Sequence, residues 1–143
     1  MDLFVRLALK YIGTPYIYGG KNPLQGLDCS GLVCELLTAI GLFQTGTEYN
    51  AQHIYLQVHP LSEEHVFGPG SLAFYGKSLT EIDHVAFFLN THQVIEAGHG
   101  TSQTLTKEIA AQRGACVRVR PFDYRKDLVA ILRPKYEEMG LVA

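Results

Sequence analysis

The spacing of apolar residues follows a helical period in the first part of the chain. Residues 3–12 and 29–40 carry apolar side chains at helical spacing, and a glycine directly follows each run. Asp2 directly precedes the first run, where its side chain would cap the helix. Residues 47–58 show a similar pattern over a shorter length. The pattern therefore predicts two helices and a further short one before the middle of the chain.

The pattern becomes strand-like after residue 70. Short runs rich in β-branched and aromatic residues alternate with turn residues, and in chain order they read SLAFY, HVAFFL, QVIEA, ACVRVRPF and LVAILRP. The segment TKEIAAQRG, between the third and fourth of these runs, predicts a short helix. Helices followed by strands predict an α+β fold in which the N-terminal helices pack on a central antiparallel β-sheet.

Two stretches rich in proline and glycine separate the predicted elements. Residues 14–28 read TPYIYGGKNPLQGLD, and residues 59–70 read HPLSEEHVFGPG. Their composition predicts loops without regular structure. The aromatic rings of Tyr16 and Tyr18 in the first loop are placed to wall a pocket beside the helix that follows.

The composition is that of one globular domain covering residues 1–143. Of these 143 residues, 47% are hydrophobic and 18% are charged, which provides enough apolar material for a core. The formal net charge is -2 and no block of like charges interrupts the chain, so neither a nucleic acid nor an anionic membrane is expected as a partner. The opening segment MDLFVRLALKYIG lacks the features of a signal peptide or a membrane span.

Cys29 stands at the predicted start of the second helix, directly after Asp28. If Asp28 caps this helix, the unpaired N–H groups and the positive end of the helix dipole favour a thiolate at Cys29. This is the position of a nucleophilic cysteine, although a small buried cysteine behind an ordinary cap fits the same pattern. The three cysteines include no CxxC pair and predict neither a disulfide framework nor a zinc site. Cys34 and Cys116 lie in apolar patterns and are expected in the core.

His84 is the histidine best placed to act as a base, because it opens the apolar strand HVAFFL, where packing does not require a histidine. If residues 90–92 form a three-residue hairpin loop, Glu96 falls opposite Ala86, on the same face as His84 and diagonally adjacent to it. Glu96 could then orient the imidazole. A two-residue loop would place Glu96 on the other face. The pattern also fits an alternative without catalysis, in which His84 is a solvated residue at a strand end and Glu96 an ordinary polar residue on the exposed face of a hairpin. His53, His59, His65 and His92 are expected to be surface or loop residues and not metal ligands.

Five segments stand in a characteristic order within residues 3–134, namely YIGTPYIYGGKNPLQGLDCSGLV, GPGSLAFY, DHVAFFLN, VIEAG and LVAILRP. In this order they resemble the NlpC family of papain-like cysteine peptidases, which cleave peptidoglycan stem peptides. The combination of PY-x-x-GG, DCSG and H-V carries the resemblance. It implies a papain-like fold and a cell-wall hydrolase that needs neither a metal nor an organic cofactor. The implied substrate is a stem peptide or muropeptide, cut between D-glutamate and the diamino acid.

Carried over by position, the resemblance implies that Cys29 is the nucleophile, His84 the general base and Glu96 the third polar residue of the site. The thiolate would attack an amide carbonyl to form a thioacyl intermediate, and the histidine would protonate the leaving amine. The third position is commonly a histidine in this family, so Glu96 is an acidic variant. His99 is a nearby rival for the same role.

The resemblance also implies residues that contact the substrate. Tyr16 matches a tyrosine near the nucleophile that helps to hold the substrate or the oxyanion. Asp28 and Ser30 match positions that bind the amine end of the substrate in members that cut after a free N-terminal dipeptide. Residues 101–125 form a stretch longer than a minimal domain of this kind needs, and the sequence assigns them no role.

Two other functions stay open on the same residues. A papain-like acyltransferase or thioesterase would prefer lipid esters to muropeptides, although many of these enzymes carry the histidine before the cysteine. A catalytically silent module would bind peptides or assemble with a partner, and its Cys29 would not react with a thiol-directed probe. Because no signal peptide or wall-binding module is recognised, the sequence favours a phage enzyme delivered to the wall by other machinery. The alternatives are a toxin delivered by a partner, a cytoplasmic peptidase that recycles muropeptides, and a part of a larger protein.

Overall fold

The computed structural model describes residues 1–141, and within them the chain forms four α-helices, one 3₁₀ turn and eight strands. The helices are α1 (Asp2–Leu9), α2 (Cys29–Ala39), α3 (Ala51–Val58) and α4 (Lys107–Arg113), and the 3₁₀ turn is His59–Leu61. The strands are β1 (Lys21–Asn22), β2 (Gly26–Leu27), β3 (Ser62–Glu64), β4 (Leu72–Gly76), β5 (Ile82–Phe88), β6 (Gln93–Gly98), β7 (Cys116–Pro121) and β8 (Leu128–Pro134). None of the described helices has the length and apolar character that crossing a membrane requires.

The six longer strands form one antiparallel sheet in the order β3-β8-β4-β5-β6-β7, which confirms the predicted α+β class. Helices α1, α2 and α3 bury their apolar faces on one side of this sheet. There the ring of Phe4 meets that of Phe87 edge-on, with ring centroids 4.8 Å apart. The opposite side carries a smaller cluster around Tyr75 and Phe88. The central strands β4 and β5 are therefore buried from both sides.

The hairpin between β5 and β6 has the loop length on which the sequence argument depended. The backbone N–H of Leu89 donates to the carbonyl oxygen of Gln93 at 2.9 Å, so residues 90–92 form a three-residue loop. The strand pairing that follows places Glu96 opposite Ala86 by register. The predicted face for the Glu96 side chain is therefore confirmed.

Two helix starts differ from the prediction. Asp2 is not the N-cap of α1 but its first residue, and its carboxylate pairs with Arg6 at 3.2 Å, one turn further on. The third helix begins at Ala51 instead of residue 47. Its cap is Asn50, whose side-chain oxygen accepts a backbone N–H of the first turn at 2.8 Å. A local side-chain hydrogen bond thus sets a boundary that apolar spacing alone misplaced.

Both proline- and glycine-rich loops contain short strands, contrary to the prediction of irregular structure. Within residues 14–28, β1 and β2 pair as a small antiparallel hairpin. Within residues 59–70, β3 pairs with β8 and extends the central sheet by one strand. Strands of two or three residues are too short to show an alternating pattern, so no periodic pattern could indicate them.

Helix α2 begins in close contact with the loop that precedes it. Asp28 is its N-cap, as predicted, and accepts the backbone N–H of Gly31 at 2.6 Å. A Cβ atom added at Gly31 would lie 2.0 Å from the carbonyl oxygen of Gly20. The missing side chain therefore lets the first turn of α2 approach the loop closely. This approach fixes the position of Cys29, the first residue of the helix.

We expect Gly31→Ala to destabilise the protein, although alanine is by itself the better helix former by about 1 kcal/mol. The added methyl group must push away the backbone at Gly20, and overpacking of this kind costs about 1–3 kcal/mol. The change is measured as the free energy of unfolding in urea. Gly68→Ala is the matched control, because a Cβ atom there meets nothing within 4 Å. Equal stability of the two variants would show that the contact at Gly31 is not tight.

Candidate active site

Cys29 lies at the N-terminus of α2 and is largely buried. Its Sγ atom faces the start of β5, 3.9 Å from the carbonyl oxygen of Asp83. The first turn of a helix presents unpaired N–H groups and the positive end of the dipole, which stabilise an anion. The position of Cys29 therefore suits a thiolate, as the sequence predicted.

His84 follows Asp83 on β5 and directs its imidazole at Cys29. The residue is 8% exposed, and it lines the same cavity as Cys29. Tyr75 pairs with His84 across β4 and β5, and the two ring centroids lie 5.5 Å apart. Packing against this ring leaves the imidazole little freedom to rotate.

Glu96 on β6 is buried behind the imidazole with only 1% of its surface exposed. Its Oε1 atom accepts a hydrogen bond from Nε of Arg118 on β7 at 3.0 Å. Its Oε2 atom lies 3.3 Å from Nε2 of His84. This distance allows an ion pair, but the two groups are not aligned for a hydrogen bond. The structure thus brings Glu96 to the imidazole. The rival His99 is exposed on the surface, and its Nδ1 atom accepts from Arg118 at 3.3 Å.

Tyr124, in the loop between β7 and β8, holds the imidazole from a second direction. Its hydroxyl oxygen lies 2.8 Å from Nε2 of His84, in a hydrogen bond shorter than the contact of that nitrogen with Glu96. The Tyr124 ring packs edge-on against Tyr75 and lies under the guanidinium of Arg120. The phenol and the carboxylate therefore both act on the same imidazole nitrogen.

The charges around the imidazole change the pKa of both His84 and Glu96. Burial by itself lowers the pKa of His84, but the charge and hydrogen bond of Cys29, followed by the contacts with Glu96, raise it to about 9. Burial likewise raises the pKa of Glu96, but the contacts with His84 and Arg118 outweigh it and hold this pKa below its ordinary value. The surroundings therefore favour the imidazolium form of His84 and the carboxylate form of Glu96 at neutral pH.

Tyr16 lies beside Cys29, in the loop that precedes α2. Its backbone N–H donates to the carbonyl oxygen of Ala115 at 3.0 Å, which ties this loop to the start of β7. Its ring packs directly on Gly100, where an added Cβ atom would collide with it. Burial, together with the charges of Cys29 and Asp28, raises the pKa of the Tyr16 phenol. The phenol is therefore a neutral hydrogen-bond donor at working pH.

Asp28 and Ser30 flank the nucleophile, and both bind Lys21 of β1. The Nζ atom of Lys21 donates to Oδ1 of Asp28 at 2.9 Å, to Oδ2 at 3.2 Å and to Oγ of Ser30 at 3.0 Å. The Ser30 hydroxyl in turn donates to Asp28 at 3.0 Å. The predicted substrate-contacting residues thus form a cluster with a lysine that the sequence did not single out.

Two recesses in the surface meet at Cys29. The first, about 550 Å³ in volume, is lined by His84, Glu96, Arg118 and Tyr124, and we call it the histidine cavity. The second is about 600 Å³, and we call it the lysine groove. The groove is lined by Tyr16, Tyr18, Gly19, Lys21, Asp28, Cys29, Ser30, Glu48, Asn50, Ala51, His53, Ile82 and Asp83. A substrate chain crossing Cys29 would occupy both recesses.

Sequence reasoning missed Arg118 and Tyr124, which both belong to the stretch 101–125 that had no assigned role. Arg118 pairs with Glu96 because β6 and β7 are adjacent and these two residues are opposite each other in register. A charged residue inside the run ACVRVRPF was the available signal for this pairing. Cys34 is buried and the four histidines expected on the surface are exposed, which confirms those predictions, while Cys116 is only partly buried.

A model described as the NlpC/P60 family matches residues 13–119 of the chain. The bifunctional muramidase/DL-endopeptidase CwlT of Bacillus subtilis is 34% identical over 102 residues, which cover 68% of this chain and 30% of that protein. The peptidoglycan endopeptidase RipA of Mycolicibacterium smegmatis is 30% identical over 112 residues, covering 68% and 21% of the two chains. The chain thus spans less than a third of the length of either relative.

A solved structure of the NlpC/p60 domain of the peptidoglycan hydrolase SagA superposes with a TM-score of 0.60 at 25% sequence identity. The match covers 92% of this chain and 97% of that domain. This likeness confirms the papain-like fold that the sequence resemblance implied.

We expect Glu96→Gln to lower the pKa of His84 from about 9 toward its ordinary value of 6.5. The substitution removes the negative charge beside Nε2 and leaves the cation of Arg118 nearby without its partner, and both effects disfavour the imidazolium. The pKa is measured by NMR titration of the imidazole. Glu63→Gln removes an equal charge from an exposed site on β3 and serves as the control. An unchanged pKa in Glu96→Gln would mean that the carboxylate does not act on His84.

Proposed function

The chain belongs to the NlpC/P60 family, and from this premise we propose that it is a cell-wall hydrolase that acts as a cysteine endopeptidase on peptidoglycan stem peptides. The observation that carries the proposal is that Cys29, at a helix N-terminus, lines the same cavity as the buried His84, whose imidazole is held by Glu96 and Tyr124. A cysteine thiolate paired with an imidazolium is the activated nucleophile of such enzymes. The proposed bond is the one between D-glutamate and the diamino acid, which agrees with the name DL-endopeptidase of one relative.

The proposed reaction begins with attack of the Cys29 thiolate on the scissile amide carbonyl. A bond forms between sulfur and carbon, and the carbonyl oxygen takes up the negative charge. As the carbon–nitrogen bond breaks, His84 gives its proton to the leaving amine, which departs with the diamino acid. Water then attacks the thioacyl carbon while His84 accepts a proton from it. The thiolate and the imidazolium are restored, and the glutamyl carboxylate is released.

The oxyanion formed in these steps needs donors that are already in place. The backbone N–H of Cys29, at the start of α2, is one such donor, and the phenol of Tyr16 is the second that we propose. The phenol stays protonated because its pKa is raised, so it can donate at working pH. Removing one oxyanion donor of this kind typically costs on the order of a hundredfold in rate.

Glu96 is proposed to orient the imidazole and stabilise its positive charge. It is suited to this because Arg118 anchors one carboxylate oxygen and leaves the other 3.3 Å from Nε2 of His84. The completeness of this arrangement favours an enzyme over a silent binding module, since buried charges without a function are costly to maintain. The phage origin favoured by the sequence stays a prediction.

Cys29→Ala is expected to abolish cleavage of muropeptides, because it removes the nucleophile and leaves the fold intact. Mass spectrometry of stem peptides and of cross-linked sacculi, after incubation with each protein, identifies the bond that is cut. Cys34→Ala is the matched control, since Cys34 lies on the same helix within the core. Cleavage that persists in Cys29→Ala would overturn the proposal. A wild type that reacts with a thiol probe yet cuts no muropeptide would point to an acyltransferase.

Tyr124→Phe is expected to lower kcat about threefold to tenfold, the value of one net hydrogen bond, with little change in KM. The substitution keeps the ring against Tyr75 and removes only the acceptor at Nε2 of His84. The basic limb of the pH–rate profile should also move to lower pH, because the imidazolium loses a partner. Tyr136→Phe removes a buried hydroxyl, bonded to Gly70, and should alter stability but not this profile. If Tyr124→Phe leaves both kcat and the profile unchanged, its hydroxyl has no part in holding the base.

A further inference from the structure

The side chain of Lys21 lies in the lysine groove, where it contacts both residues that flank Cys29. Its ammonium group makes three hydrogen bonds, two with the carboxylate of Asp28 and one with the hydroxyl of Ser30. The side chains of Lys21 and Asp28 are only 20% and 14% exposed. An ammonium has three N–H donors, so all of those on Lys21 are engaged. The positive charge of Lys21 is therefore held in the groove beside Cys29.

The proposed reaction decides which part of the substrate enters the lysine groove. His84 must reach the leaving amine to protonate it, and His84 lines the histidine cavity. The leaving diamino acid therefore occupies the histidine cavity. The acyl part of the substrate, with D-glutamate and the residue before it, must then lie on the other side of Cys29. That side is the groove lined by Lys21, Asp28 and Ser30.

The carboxylate oxygens of Asp28 in this part of the groove already accept hydrogen bonds from other groups of the protein. Oδ1 of Asp28 accepts from Gly31, Ser30 and Lys21, and Oδ2 accepts from Lys21. A substrate ammonium group could reach this carboxylate only by displacing Lys21, and an ammonium placed beside Lys21 would be repelled by it. An uncharged amide at the same place meets neither cost.

We propose that Lys21 is a specificity-determining residue, which makes the enzyme prefer stem peptides whose amino end is acylated over those with a free N-terminal ammonium group. This inference rests on the proposed peptidase function and names its substrate class. In the intact wall the amino end of the stem is held in an amide bond to the sugar strand, whereas released peptides carry a free amine. Lys21 thus directs the enzyme to stems that are still attached through their amino end.

The other charged groups of the groove compete weakly for a substrate cation. Glu48 is exposed to solvent, where an ion pair is screened by water and contributes little. The carboxylate of Asp83 is paired with Arg125 at 3.1 Å. His53 is exposed on the same side and does not attract a cation. The pair of Lys21 and Asp28 is therefore the strongest charge feature next to Cys29 on this side.

The test compares two substrates that differ only at the amino end, L-alanyl-γ-D-glutamyl-diamino acid and its N-acetylated form. The wild type is expected to show the higher kcat/KM on the acetylated peptide. Lys21→Met should move the ratio of the two kcat/KM values toward the free amine by about tenfold or more, because Asp28 then becomes available to a substrate ammonium. Lys21→Arg should keep the wild-type preference. Lys10→Met, which removes an exposed positive charge just after α1, is the control.

Each outcome of this experiment is informative. The inference is overturned if the wild type prefers the peptide with the free amine. It is also overturned if Lys21→Met leaves the ratio of the two kcat/KM values unchanged. Thermal melting shows whether Lys21→Met is folded, and the preference of the wild type decides the question if it is not. If the wild type cleaves neither peptide nor sacculi, the proposed function fails, a result distinct from cleavage without the expected preference.

Discussion

The carboxylate of Asp28 is the group on which the arrangement of this site depends. It caps α2 by accepting the N–H of Gly31 at 2.6 Å, and it holds Lys21 of the preceding hairpin at 2.9 Å. The first bond sets where the helix begins and so makes Cys29 its first residue. The second ties the hairpin that walls one recess to the same helix end. One partly buried carboxylate thus fixes both the position of Cys29, the proposed nucleophile, and the shape of the surface beside it.

On the other side of Cys29, the requirement that buried charges be paired builds the rest of the site. His84, Glu96 and Arg118 alternate in sign when the imidazole is protonated, and each is in contact with the next. Burial penalises each charge alone, but each neighbour compensates for it, so the pKa of His84 rises while that of Glu96 falls. Arg118 therefore matters to the imidazole without touching it, because it keeps Glu96 ionised.

The sequence predicted the elements and the site residues that a repeated pattern or a local rule specifies. The alternation in the β5–β6 hairpin and its three-residue loop were sufficient to place Glu96 on the face of His84. Tyr124 could not be found in this way, since it reaches the imidazole from a loop 40 positions away in sequence. Lys21 was missed because its strand has only two residues and shows no pattern. Contacts set by tertiary packing leave no periodic signal along the chain.

Asp28 has two roles that a substitution at Asp28 itself cannot separate. A neutral residue there would weaken the cap of α2 and release Lys21 at the same time, so a loss of activity would not distinguish a displaced nucleophile from an altered groove. Lys21 takes part only in the second role, because the bond from Gly31 to Asp28 does not involve it. Placement of Cys29, the proposed nucleophile, and the proposed selection at the amino end of the substrate both depend on Asp28, but only the proposed selection depends on Lys21. Since Lys21 lies on the hairpin and not on the helix, selectivity can change in this fold without moving Cys29.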